Sequence, residues 1–138
     1  MASFITDFVA YIDTNLSGSW TAGTNLFYDN MPVADSTLSP AVPATALAFW
    51  QTPTGSADKY KTTVFTCYLR FQSRAATRAD ALANWQTVFN FLSGKGNYAT
   101  TNYQIFYSEA INSTPILLQD EKGNKIYESV FFFYGREK

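Results

Sequence analysis

The chain has 138 residues and a mass of 15.5 kDa. That is the length of one domain, and 46% hydrophobic against 15% charged residues make it globular rather than disordered. A net charge of −1, no histidine and one cysteine exclude a dense basic nucleic-acid-reading patch, a Cys–His nucleophile system, a His/Cys metal set and an internal disulfide.

In chain order, Ser3 caps a predicted helix from Phe4 to about Leu16, with Phe4, Phe8, Tyr11 and Ile12 on one face and Gly18 as its stop. Asn25–Met31 reads as a short strand ended by Pro32. Val33–Thr45 is a polar, proline-containing loop, ordered or partly mobile. Ala46–Gln51 is a second strand, and Thr52–Tyr60 a polar turn. The third strand is the clearest. Thr63, Phe65, Cys67, Leu69 and Phe71 face one way, and Thr62, Val64, Thr66, Tyr68 and Arg70 the other. Thr77 then caps a helix to Ser93, with Asp80 three residues on. Its predicted buried face is Leu82, Trp85, Phe89 and Leu92, flanked by Ala81 and Val88, and Gly94 and Gly96 end it. Tyr103–Ala110 is a strand. Pro115–Gln119 and Ile126–Tyr134 form a hairpin around Lys122-Gly123-Asn124.

This order predicts an α+β fold: a single domain, 1–138, with two helices packed on one face of a mostly antiparallel β-sheet. The last strand departs from alternation. Val130-Phe131-Phe132-Phe133-Tyr134 is apolar on both sides, so both faces need cover. Either a helix and a long loop supply it, or a neighbouring subunit covers one face. On the second reading Val130, Phe131, Phe132 and Phe133 are candidate subunit-interface residues. The 17% aromatic content fits a ring-filled core first and an apolar surface awaiting a partner second.

Charge is unevenly placed. All ten Lys and Arg lie from Lys59 onward; before it stand only Asp7, Asp13, Asp29, Asp35 and Asp58. Solvated surface explains this, as would faces of opposite sign. Met1–Leu16 has no basic start and no apolar run reaches the ~20 residues of a membrane span, so cytosolic synthesis without a membrane partner is expected.

Catalytic chemistry is hard to place. Glu109 and Glu128 lie in two strands that could pair, but a cross-strand ion pair is commoner than a catalytic dyad. Asp120-Glu121 reads as a solvated turn. Ser93-Gly94-Lys95-Gly96 follows a helix instead of opening one, so it is no phosphate cradle. Cys67 lies on an apolar face and reads as buried and inert. The expectation is no enzyme activity: catalytic residues none, cofactor-binding residues none, metal ligands none, cofactors none.

Several segments together resemble the tail terminator family of long-tailed bacteriophages, also called tail completion or minor tail proteins. They are Pro40-x-x-Pro43 before Ala46–Gln51 and its Thr52-Pro53-Thr54-Gly55 turn; the alternating Val64–Gln72 strand with Arg70 near its end; the Asp80–Leu92 helix; and the Asp120–Lys125 hairpin leading into Tyr127–Tyr134. The resemblance is one of pattern over nearly the whole chain. It implies a virion structural protein that forms a ring, hexameric in the family. The ring caps the finished tail tube, stops its polymerisation and offers a head-joining surface. The implied partners are further copies of the chain, the tail tube protein and a head completion or connector protein, with DNA passing through the lumen unread. The implied location is the head-proximal end of the virion tail, assembled in the host cytoplasm. Candidate partner-facing loop residues are Pro40, Pro43, Asp58, Lys59, Asp120, Lys122 and Lys125. The alternatives are another head–tail connector component, or an NTF2-like cone binding or isomerising a small ligand.

Overall fold

The computed structural model of the protein describes residues 3–52, 57–58 and 61–138. The elements follow as α1 (Phe4–Asn15), β1 (Leu26–Tyr28), β2 (Ala46–Gln51), β3 (Ala57–Asp58), β4 (Lys61–Ala75), α2 (Arg78–Leu92), β5 (Lys95–Ala99), β6 (Tyr103–Ala110), β7 (Ile116–Gln119) and β8 (Lys125–Glu137). All eight strands of the described residues join one sheet, in the order β1-β2-β4-β8-β6-β5, with β3 added to β4 and β7 to β8. The expected α+β class is corrected. The protein is mostly β, and its sheet is mixed because β1 runs parallel to β2. The reason lies in the length of the central strands. At 15 and 13 residues, β4 and β8 are longer than the sequence pattern suggested and carry neighbours along their whole length.

β4 and β8 pair antiparallel from Val64↔Arg136 to Ala75↔Lys125. In that register Cys67, Leu69, Phe71 and Ser73 share a face with Tyr127, Ser129, Phe131 and Phe133. Both helices pack on this face. Ser3 caps α1 by accepting from the Thr6 amide, and Thr77 caps α2 by accepting from the Asp80 amide. α1 drives Phe4 and Phe8 against Phe133, with ring centroids 5.5 and 4.9 Å apart, and Phe8 also meets Phe49 at 5.3 Å. Such edge-to-face ring pairs add about 0.5–1.5 kcal/mol each beyond their buried area. The aromatic load is therefore largely core.

The buried face of α2 is rotated from the expected one. Ala81, Trp85, Val88 and Leu92 are buried, Phe89 is half-buried and Leu82 is exposed. Hydrogen bonds to serines set this rotation. Trp85 Nε1 donates to Ser129 Oγ at 2.9 Å, Ser73 Oγ to the Ala81 carbonyl at 2.9 Å, and Ser108 Oγ to the Leu92 carbonyl at 2.8 Å. Small polar side chains let the helix backbone approach the sheet, which an apolar count along the helix does not register.

The sequence pattern does not announce β5, because Gly94 and Gly96 read as a helix stop. Gly94 (φ +70°) does turn the chain, and Asn97 (φ +57°) interrupts the β5–β6 ladder. Gly135 marks a close approach of another kind. A Cβ there would lie 2.5 Å from the Gln104 carbonyl oxygen, where the β6–β8 register shifts.

Candidate interaction surface

The two sides of the last strand have different environments. Phe131 and Phe133 are fully buried under the helices. Of the four residues weighed as interface, these two belong to the core, and Val130 and Phe132 point to the opposite face, where they are half-buried. Among the described residues no helix lies on that face. At its centre the Tyr68 and Phe132 rings lie 5.3 Å apart, and the Phe106 and Tyr134 rings 5.4 Å apart. Arg70 reaches over the Trp50 ring at 5.8 Å and pairs with Glu128 at 3.9 Å; Gln72 Nε2 donates to the same carboxylate at 2.8 Å. The face is thus an aromatic band whose central charges neutralise one another.

The two glutamates weighed as an acid–base pair are not brought together. Glu109 is level with Phe132 on β8, four residues from Glu128, roughly 13 Å along the strand. Glu109 accepts from the Tyr107 hydroxyl at 2.6 Å, which raises the tyrosine's pKa, and Glu128 is occupied as described. Cys67 is free and buried, and desolvation pushes its thiol up to about 12. Among the described residues no cluster of three or more His, Cys, Asp or Glu could hold a metal ion.

One end of the open face is covered by the Val33–Thr45 loop, and Arg74 holds the cover in place. Its side chain is buried. Nε donates to the Ala44 carbonyl at 2.9 Å, Nη2 to the Pro43 carbonyl at 2.8 Å, and Nη1 to the Pro32 carbonyl. Desolvation lowers its pKa, opposed by the field of Asp120. Within the loop, Asp35 and Val42 exchange backbone hydrogen bonds of 2.8 and 2.9 Å. Asp35 also accepts from the Thr37 hydroxyl at 2.6 Å, which lowers the carboxyl's pKa. The Ser39–Pro40 peptide is cis. Sequence reasoning missed Arg74, which lies past the end of the predicted strand and 30 or more residues along the chain from the carbonyls it holds.

Two of the expected partner-facing loops converge here. Pro43 and Lys122, with Asp35 and Asn124, line a shallow cleft of about 330 Å³. Asp120 shapes the turn by accepting from the Lys122 and Asn124 amides, both at 2.9 Å. Burial pushes Asp120 up, but these hydrogen bonds and that of the Asn124 side chain outweigh it and hold the carboxyl low. Lys125 Nζ donates to Gln119 Oε1 at 2.6 Å, and Pro40 is exposed. Asp58 falls in β3, next to β4 and away from this cluster in the sheet, and Lys59 lies outside the described residues, as does most of the Thr52–Tyr60 turn.

The acidic face suggested by the early aspartates does not include Asp7. That carboxylate is buried and accepts from the Thr100 hydroxyl, the Asn102 amide at 3.1 Å and the Asn102 side chain at 2.9 Å, tying α1 to the β5–β6 turn. Its role here is structural.

No protein-family model and no curated sequence matches the chain. Among solved structures, the fold is similar to that of a chain in a structure described as the virion of a native gene transfer agent particle. The TM-score is 0.58 at 17% sequence identity, over 84% of this chain and 81% of that one, which establishes a shared fold.

Proposed function

We propose that this chain is a virion structural protein. In this reading it forms a ring, hexameric as in the tail terminator family it resembles, that caps a phage tail tube, ends tube polymerisation and presents the surface to which a head connector joins. It acts through its surfaces and turns over no substrate. The observation that carries the proposal is the sheet's unequal faces. Both helices lie on one side, while among the described residues an aromatic band around Tyr68, Val130, Phe132 and Tyr134 faces outward, one end of it covered by a loop. A contiguous apolar face of this kind is the mark of an interface. The fold shared with a gene transfer agent virion chain supports a virion setting, and the family resemblance supports the tail end of it.

The small-ligand cone is disfavoured by packing. The face that would line its cavity is filled by Phe8, Phe49, Phe71, Trp85, Phe131 and Phe133, all essentially inaccessible to solvent. The test is composition and location in particles. Mass spectrometry of purified virions should find the chain in a few copies per particle, and gold labelling should place it where tail meets head. Absence from purified particles, or labelling at the tail tip, contradicts the proposal.

A further inference from the structure

Among the described residues the β7 strand is open on three sides. Its residues Ile116, Leu117 and Leu118 are 55%, 40% and 38% exposed. Leu117 is level with Tyr127 on the helix side, and Ile116 and Leu118 are level with Glu128 and Ile126 on the aromatic side. The outer edge is open as well. The Asp120 amide donates to the Asn124 carbonyl at 3.1 Å, which sets the ladder phase. In that phase Leu117 and Gln119 turn their backbone groups away from β8. Among the described residues no strand meets that edge. An occupant that touched only one face would leave the other apolar face wet. A strand added alongside, carrying side chains on both faces, covers all three sides.

The chain itself supplies a matching edge. At the β7 end of the sheet the strands run β1-β2-β4-β8-β7, so β1 is the far edge of the same row. β1 is Leu26-Phe27-Tyr28, uncharged like β7 (Ile116-Leu117-Leu118-Gln119). The other two edges carry features that block edge pairing. β3 includes Asp58, and β5 is broken at Asn97 and carries Lys95, whose ammonium lies over the Phe91 and Tyr98 rings. On β1 the Leu26 carbonyl already accepts from the Gly23 amide and the Asp29 amide donates to Phe49 on β2, so the open part of this short edge is the backbone of Tyr28, whose residue is 45% exposed. Tyr28 projects to the same side as the buried Leu26, the helix side, and Leu117 of β7 also points there.

We propose that β7 of one copy adds to the β1 edge of a second copy, with Leu117 beside Tyr28, so that the sheet continues head to tail from subunit to subunit. Two different edges of one molecule make a heterologous contact, the kind that closes into rings. The inference rests on the ring reading and assigns its subunit contact.

Cysteine pairs test it, since Cys67 is buried and gives little background. Tyr28→Cys and Leu117→Cys alter exposed side chains, and circular dichroism checks that each variant folds. The variants are cross-linked by mild oxidation and by a short bismaleimide, in concentrated purified protein and in lysates where particles assemble. The double variant should give a ladder that runs past the dimer and ends at a closed ring. Each single variant alone should give no dimer, and an equal mixture of the two should give dimer and nothing larger. Dimers from Leu117→Cys alone would mean that β7 pairs with itself and would overturn the proposal. So would the absence of cross-links from the double variant in both preparations. Because the gold-labelling position does not depend on which edge is used, a failed cross-link with junction labelling intact would sink this contact and leave the virion reading standing.

Discussion

At the residue scale, two buried groups make opposite demands. Cys67 is a small apolar filler whose thiol is pushed up to about 12 by desolvation. A free cysteine has a pKa near 8.5, so at neutral pH the native thiolate population is lower on the order of a thousandfold. Native protein should therefore label with iodoacetamide far more slowly than denatured protein, with the rate rising only as pH approaches 12 or the fold opens. Fast native labelling at pH 7 would place the thiol at the surface. Arg74, by contrast, is a buried cation satisfied by three backbone carbonyls. Arg74→Met leaves those carbonyls without their donor and should cost about 3 kcal/mol in urea unfolding, with faster proteolysis within 33–44. Arg70 is the control. Its side chain is 46% exposed and its ion pair is at 3.9 Å, so Arg70→Met should change stability by less than about 1 kcal/mol. Equal effects at the two arginines would contradict the anchoring role.

At the element scale, β8 separates folding from assembly by the parity of its residues. Phe131→Ala opens a cavity in the core beside Phe71 and should cost about 3–5 kcal/mol. Phe132→Asp puts a charge on the open face, where the free monomer can hydrate it; the monomer should stay folded with a near-native melting curve, while docking of that face onto its partner in the particle is lost. Equal unfolding by both variants would mean that the open face is core. Much of this was legible in the sequence. The alternation from Phe65 to Phe71 sets the faces of β4, Ser3 and Thr77 announce their helices, and the double-sided aromatic run announces a strand needing cover on both sides. What remained hidden depends on contacts distant in sequence. The rotation of α2 depends on Ser73, Ser108 and Ser129, and the cover over one end of the open face depends on Arg74. β5 exists because β6 lies beside it, although its own residues read as breakers. The interface candidates could be named as a group of four, but sorting Phe131 and Phe133 from Val130 and Phe132 needed the pairing register.

At the scale of the whole molecule, the protein is a long β4–β8 ribbon with helices on one side, an aromatic band on the other and a cluster of loops at one end. Asp35, Asp120, Lys122 and Pro43 come together at that end, far along the chain from one another but joined through the Arg74-anchored loop and the β7–β8 turn. A terminator must match the tube on one side only, since a subunit whose top repeated its bottom would let the tube continue. The loop cluster and the opposite end of the ribbon, where α1 begins, are unlike each other and provide two distinct ends. The role proposed for this chain is to end tail growth and join tail to head. Deleting the gene and imaging the lysate by electron microscopy tests it most directly. The expected result is filled heads that remain unjoined, beside tails that are over-long or of irregular length, with normal particles restored when the chain is supplied from a plasmid. Normally joined particles in the deletion, or empty heads with tails of ordinary length, would contradict it.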